Sequence, residues 1–427
     1  MLDIYFYENK SILYYITSES DELKQIPKYN RKDLGKVNTW EINNMMDCYY
    51  KTHTSLLRFR EDFNNWRTTF EKETGYKMMY SWEVSAYQFF VFILGKQNIE
   101  LLEKDSDDIV FGEFKLIESC YNSGLASVNP KCVNKSILCY AYDYSSYYPT
   151  KLSSKSFNFP IKKPIFKDDI DLDNLEYGIY NVSIISNDID FKNTFSFSPK
   201  NWYSHYSLEY AVEMSKLNKC EIQIIGGSWI YEESSLINGH KIFGKWLKKI
   251  KELKKKYPKN KLIKMMSSTL WGVLIQYKRT FMTEDEFFNS DVSYMDDDSE
   301  TEYKYLSEKT RVDENDEIIV NYEVVTSNNP YKRQVFARLK PFLTSFCRTN
   351  ISRIVKEFDL YDNLVRIQTD SICLNVECDF GNYSYKPIFE DKSSGLITWY
   401  NVNNSNKIKE RKLKKIKEYE KELELEK

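Results

Sequence analysis

The chain has 427 residues, 42% of them hydrophobic, and a formal net charge of −2. That composition excludes a disordered protein and provides for a sizeable core with more than one subdomain, while the near-neutral charge means that any polyanion site must come from charge segregation within the chain. Eight cysteines with no C-x-x-C pair favour neither a disulfide framework nor a zinc site, and fit a reducing, intracellular setting.

The opening, MLDIYFYENK, lacks a basic n-region and soon turns charged, so no secretory signal is expected. Residues 40–96 carry a helical pattern, with Leu56, Leu57, Phe63, Trp66 and Phe70 forming one apolar stripe. The most apolar run, AYQFFVFIL at 86–94, falls far short of the roughly 20 residues of a membrane-spanning helix and reads as core, so no membrane partner is expected. After Phe114 the texture changes to short strands in SILCYAYD, GIYNVSII and EIQIIGGSWIY. Helical texture returns between Ile242 and Tyr277, where Pro258 divides two basic helices into an expected hairpin. From Lys241 to Arg279 only Glu252 opposes the basic residues, whereas Glu284 to Glu317 is acidic and reads as a polar loop. A long helix over Gln334 to Phe358 is expected next, then a β-hairpin in NLVRIQTDSICLNV, and a charged helix or tail over 403–427.

Two acids stand out in this order. Alternation in ILCYAYD places Asp143 at the exit of a strand, and Asp370 lies in the turn of the later hairpin. A lone acid at a strand exit reads most simply as a terminator that caps the next helix. Two acids brought together at strand ends repel each other unless a divalent cation holds them, and Mg²⁺ takes one or two carboxylates plus substrate phosphates. Two such ions about 4 Å apart activate one oxygen and stabilise the other in an in-line phosphoryl displacement. A third element matches that chemistry. In KMMSSTLWG (264–272), Lys264, Ser268 and Trp271 fall at i, i+4 and i+7 on one helix face. That face offers a cation for a triphosphate, a small residue for close approach and a flat ring for a base or sugar, and Lys261 lies one turn earlier to share the phosphate load. Alone, the helix reads equally well as a solvated basic helix with a buried tryptophan.

Taken in order, the three stretches resemble the catalytic signatures of family B DNA polymerases, particularly the protein-primed branch of phages, linear plasmids and mobile elements. DYSSYYP (143–149) is similar to that family's D-x-x-S-L-Y-P, KMMSSTLWG to K-x-x-x-N-S-x-Y-G, and RIQTDS (366–371) to Y-x-D-T-D-S. YNSGL (121–125) stands where the branch has its template-holding Y-x-G-G/A element. RQVFARLKPFLTSFCRTNISRIV resembles the helix before the last catalytic motif, and GLITWYNV (395–402) the strand leading towards a Lys-x-Tyr element. NTWEINNMMDCYYKTHTSLLRFREDF resembles the end of the family's exonuclease domain, with Asp47 at the place of its last carboxylate. The letters KEY at 417–419 lie in a lysine-glutamate run and carry no weight.

The resemblance implies an α+β polymerase palm, a mostly antiparallel sheet backed by helices, with a two-helix fingers hairpin. Expected parts are a helical N-terminal remnant (1–110), a first palm part (111–241) with an inserted region at 153–233, fingers (242–280), a second palm part (281–402) with an acidic loop at 283–317, and the charged end. The implied activity is template-directed DNA synthesis from dNTPs on primer-template DNA with two Mg²⁺ ions, for which Mn²⁺ substitutes. Asp143 and Asp370 would bind the metals, with the backbone carbonyl of Tyr144 as a further ligand. Lys264 would neutralise the triphosphate, helped by Lys261. Ser145, Ser146 and Tyr148 would line the nucleotide site, Tyr148 rejecting a 2′-hydroxyl by contact. Ser268 and Trp271 would face the nascent base pair, Thr369 and Ser371 would flank the metal at the primer end, and Tyr121, Ser123 and Gly124 would hold the template.

The chain also departs from the family pattern. Gln368 replaces the first aspartate of the last motif, Arg366 its tyrosine, and Ser268 and Thr269 its Asn-Ser. Gln368 bears most on activity, so a catalytically silent scaffold that binds DNA or a replication partner is the alternative reading. The stretch before Asp47 is too short for an exonuclease domain and Asp3 begins no D-x-E pattern, so proofreading is expected to be absent. Little chain follows Asp370 for a thumb, which admits a split enzyme completed by a separately encoded exonuclease or thumb. The inserted region occupies the place that grips a terminal priming protein in this branch, and its FSFSPKNWYSHYSLEY either serves that role or packs a palm extension.

Other constellations read as structural. SYMDDDSE (293–300) holds the letters of a reverse-transcriptase box without apolar strands on both sides, and is expected to be a solvated acidic loop. DDIDLDN (168–174) lacks the glycine and terminal glutamate of a calcium loop, and His53, His205 and His240 lie too far apart for a metal-ligand spacing.

Overall fold

The computed structural model describes residues 5–9, 12–16, 24–26, 56–78, 82–312, 318–380 and 389–409. The expectations placed on Asp3, Asp47, His53, the letters at 417–419 and the charged run from 410 onward lie outside the described residues, as do the side chains of Leu56, Leu57 and Phe63. Packing divides the chain into two units, 1–114 with 240–337 and 115–239 with 338–427, so the stretch 281–337 groups with the amino-terminal helices and not with the residues that follow it. Among the described residues no helix is long and apolar enough to cross a membrane.

The first unit begins with three antiparallel strands, Tyr5–Asn9, Ile12–Ile16 and Lys24–Ile26, where helix was expected. Helices α1 (Leu56–Thr74) and α2 (Trp82–Leu94) follow. The apolar run of α2 is core in part: Ala86, Phe89 and Phe90 are buried while Phe92 is exposed, and Phe89 meets Phe70 of α1 edge-on at 5.0 Å between ring centroids. Two basic helices, α3 (Gly239–Lys256) and α4 (Lys261–Leu274), flank Pro258. Helix α3 buries Phe243, Trp246, Leu247, Ile250 and Leu253, spaced to form one stripe, and leaves most of its lysines on the outer face. The link between α3 and α4 is tied to α1. Glu73 accepts hydrogen bonds from Lys256 Nζ (2.8 Å) and the Tyr257 hydroxyl (2.6 Å), which hold its carboxyl below the usual range, and Asn260 Nδ2 donates to the Trp66 carbonyl (3.0 Å).

The acidic stretch 283–317, expected to be a polar loop, is largely structured. Strands Arg279–Met282, Ile318–Thr326, Tyr303–Val312 and Val292–Tyr294 form a four-stranded sheet in that spatial order, with a short helix at Glu284–Asn289. Charged outward-facing positions mask the alternation in YKYLSEKTRV, and the sheet encloses one acid: Glu323 is buried against Arg279 (2.9 Å) and Ser307 (2.7 Å). In SYMDDDSE, Tyr294 ends a strand and Asp296, Asp297 and Asp298 are exposed, as a solvated turn requires.

The second unit is organised by a six-stranded sheet of β1 (Ala126–Val128), β2 (Ser136–Tyr144), β3 (Leu364–Gln368), β4 (Ser371–Leu374), β5 (Phe389–Trp399) and β6 (Ser405–Lys409). Its order is β6-β5-β2-β4-β3-β1 and every neighbouring pair is antiparallel. The predicted hairpin is β3–β4 and the predicted strand at 395–402 lies largely in β5, whereas Ser405–Lys409 is a strand and not part of a charged helix or tail. The long helix expected from Gln334 is interrupted at Arg338, giving a short turn, Gln334–Ala337, and then α5 (Leu339–Glu357), most of which is buried.

The inserted region folds as a second sheet, Ile165–Lys167, Glu221–Ile230, Gly178–Ile185 and Trp202–Ser204 in spatial order. Phe195, Tyr203, Leu208 and Tyr210 of the aromatic-rich stretch fill its core, which assigns them to packing. Its exposed apolar residues are Ile165, Phe166, Ile185, Ile224 and Ile225.

His205 starts the helix His205–Ser215, with its ring centroid 4.1 Å from that of Tyr177 and 3.9 Å from that of Tyr206. Burial pushes its imidazole down to about 3 from 6.5. The unfolded chain therefore takes up this proton first, and stability is lost as pH falls from 6.5 towards about 3. Urea midpoints measured across that window should fall less steeply for His205→Phe than for the unaltered protein; parallel curves would contradict the assignment.

Candidate active site

Strand β2 runs between β4 and β5, and its end carries Asp143. Asp143 lies opposite Ser371 in β4 and opposite Glu390 in β5. One residue on, the Tyr144 N–H donates to the Asp370 carbonyl at 2.7 Å. The β3–β4 hairpin pairs Gln368 with Ser371, so Thr369 and Asp370 alone make its turn. Directly opposed residues of antiparallel strands project to one face, which puts Gln368, Ser371 and Asp143 in one row with the Asp370 turn at its end. Asp143 does not cap the next helix, Tyr147–Leu152. That helix starts after Ser145 and Ser146, the latter in left-handed conformation at φ 52° with no side-chain cap. Sequence reading passed over Glu390, since FEDKSS carries no motif; only the strand register brings its position to the row.

The turn is braced from the Tyr121–Leu125 element. Thr369 sits at φ 58°, a strained conformation for a β-branched residue, and its N–H donates to the Leu125 carbonyl at 2.7 Å. Gly124 packs so closely that an added Cβ would lie 2.6 Å from Thr369 Oγ1. Arg348 of α5 is buried and donates through Nη1 to the carbonyls of Asn122 and Ser123 (2.9 Å to the latter). Lys340, bonded to Glu118 at 2.6 Å, places its ammonium 4.5 Å from the Tyr121 ring centroid. Burial raises the pKa of the Tyr148 hydroxyl; the charges of Tyr121 and Asp370 add to the shift and Arg348 opposes it. The segments 121–124, 143–149 and 369–371 therefore share one neighbourhood.

Lys151 was also missed. Its ammonium lies 5.1 Å from the Tyr144 ring centroid, 5.6 Å from that of Tyr147 and 5.9 Å from that of Phe346, and burial pushes its pKa down to about 8. The sequence signal was a single lysine two residues after a proline, and cation–π packing of this kind depends on where the rings fold.

In the first unit, α4 buries Leu262, Ile263, Met266, Leu270, Val273 and Leu274 and leaves Lys264 and Ser268 exposed, with Trp271 half-buried. The face expected from the i, i+4, i+7 spacing is the outward one. Ser268 Oγ donates to the Lys264 carbonyl at 3.2 Å, and Lys261 holds its ammonium 6.0 Å from the Trp66 ring centroid.

Among the described residues no group of three or more His, Cys, Asp or Glu side chains gathers. The register brings to the row the positions of Asp143 and the Asp370 turn, with carbonyl and hydroxyl oxygens nearby. Such an all-oxygen set fits Mg²⁺, which takes its remaining ligands from water and phosphates, and does not fit zinc.

No family model matches the chain, and no curated protein matches it. Solved structures do match. The fold is similar to that of Phi29 DNA polymerase. Its ternary complex with primer-template DNA and incoming nucleotide aligns at a TM-score of 0.57 and 14% identity over 82% of this chain. Its post-translocation binary complex with primer-template DNA gives 0.56 and 14% over 83%, and its complex with single-stranded DNA 0.56 and 15% over 84%. This chain spans 59% of the length of each of these polymerase chains. The likeness is one of fold.

Two outcomes test the local geometry. Gly124→Ala should destabilise the protein by about 1–3 kcal/mol through overpacking against Thr369, although glycine to alanine stabilises where space and φ allow; a raised urea midpoint would refute the close contact. Lys151 has a folded value of about 8 against 10.5, so its contribution is full above 10.5 and is lost as pH falls through about 8. Stability of the unaltered protein should rise across that window, and Lys151→Met should remove the rise.

Proposed function

We propose that this protein is a family B, protein-primed type of DNA polymerase, transferring nucleotides from dNTPs to a primer 3′-hydroxyl on a template. The observation that carries the reading is the β2–β4 register, which sets Asp143 beside the Asp370 turn in a polymerase-like sheet. Asp143, Asp370 and the Tyr144 carbonyl would hold Mg²⁺, which supplies charge neutralisation at the reacting phosphate. Tyr148 packs against the nucleotide sugar, and Ser145 and Ser146 line the turn beneath it. Thr369 and Ser371 seat the primer end, while Tyr121, Ser123 and Gly124 seat the template strand. On α4, Lys264 and Lys261 neutralise the triphosphate and Ser268 and Trp271 meet the base pair. Chemistry is then mostly positioning: the 3′-oxygen bonds to the α-phosphorus as the bond to pyrophosphate breaks. The exposed Ile165, Phe166, Ile224 and Ile225 are the surface assigned to a priming protein.

One observation favours a second reading, a silent DNA-binding scaffold. Where the family carries an aspartate, Gln368 offers an amide whose oxygen is taken by Arg366 Nη2.

Primer extension with Mg²⁺ or Mn²⁺ decides between them. The unaltered chain should extend a primed template, and Asp143→Ala and Asp370→Ala should each lower the rate on the order of 10²-fold or more. Absence of extension with DNA binding intact in all three proteins would leave the scaffold. Lys264→Ala should impair dNTP use much more than DNA binding; equal loss of both would remove Lys264 from the triphosphate.

A further inference from the structure

Arg366 stands two residues before Gln368 in β3, so its side chain belongs to the face that carries the Asp143 row. Its guanidinium is half-buried and held on several sides. Nε and Nη2 donate to the Val402 carbonyl at 2.8 and 2.6 Å, Nη2 also donates to the Gln368 amide oxygen, and the group lies 4.3 Å from the Trp399 ring centroid. Every one of these partners is neutral. Among the described residues no carboxylate pairs with Arg366, and Nη1 has no hydrogen-bond acceptor. Other shielded cations of the chain are held in both ways, Lys340 by an acid, Glu118 at 2.6 Å, and Arg348 by the carbonyls of Asn122 and Ser123. A guanidinium taken partly out of water without counter-charge is costly, and burial accordingly lowers the pKa of this one.

We propose that Arg366 is a phosphodiester-binding group, which takes a backbone phosphate of the nucleic acid on its remaining Nη1 donors. The proposal rests on the DNA-synthesis reading and adds to it a contact that the tyrosine of the family pattern has no charge to make. Gln368 and Val402 fix the plane of the fork before the ligand arrives, so little freedom is lost on binding. The two hydrogens left on Nη1 are donors for a charge-assisted contact with phosphate oxygen. Arg366 is set back from Gln368 by about 7 Å along β3, a step on the order of two nucleotides of rise. A strand whose end lies at the acid row would bring an internal phosphate, and not its terminus, to this group.

Binding of a fluorescent primer-template, measured by anisotropy over a salt series in EDTA without dNTP, tests the contact with neither metal nor nucleotide present. Log affinity against log salt should be shallower by about 1 for Arg366→Gln and unchanged in slope for Arg366→Lys. An unchanged slope for Arg366→Gln, with the unaltered protein binding normally, overturns the proposal and leaves the polymerase reading standing. An unchanged slope together with a raised KM for dNTP would assign Arg366 to the triphosphate and overturn it likewise. No binding by the unaltered protein would sink the polymerase reading and this contact with it. A second measurement avoids substitution: phenylglyoxal labelling followed by mass spectrometry should be slowed several-fold at Arg366 by primer-template, and equal labelling with and without DNA overturns the proposal.

Discussion

The candidate site depends on one backbone hydrogen bond, from the Tyr144 N–H to the Asp370 carbonyl, and on the strand register it reports. Side chains alternate along a strand, so a slip of one residue between β2 and β4 would turn Asp143 to the opposite face of the sheet. No adjustment of rotamers could recover it. The register is protected because Cys139, Ile372 and Leu374 are buried along these strands and could not be turned to water without loss of core.

The hairpin turn adds a second constraint. A threonine at positive φ persists only where its surroundings over-determine it, and here the surroundings are a glycine, a carbonyl and a buried arginine two layers away. Arg348 does not touch the acids. It holds the Asn122 and Ser123 carbonyls, these position Gly124, and Gly124 leaves room for Thr369. The chain of contacts runs from a buried helix to a loop to a strained turn, which is why the 121–125 element and the last motif, distant in sequence, behave as one piece of structure.

Much of this was legible from residues alone, for identifiable reasons. Asp143 and Asp370 could be found because alternation and turn chemistry are local, and the outward face of α4 because helix periodicity is local. The four-stranded sheet over 279–326 was hidden because acids in its connecting helix and turn, Glu284, Asp285 and Glu286 and then Asp296, Asp297 and Asp298, gave the stretch the composition of a loop. Glu390, Lys151 and the Arg366 anchorage could not be read at all. Each acquires its surroundings from segments far away in the chain: a strand register, three rings on two elements, and a carbonyl in the turn after β5. The aromatic-rich stretch at 195–210 was ambiguous between surface and core because ring content alone does not say which side of a sheet the rings occupy.

The first unit holds its charges in consecutive blocks, basic from Lys241 to Arg279 and acidic from Glu284 onward, with Glu73 pinning the middle of the basic block to α1. Charges segregated in this way give an uneven field even where the net charge is small. Beside a polyanion such a field would orient the body more than attract it, and would act on the angle of approach before it adds to the strength of a complex.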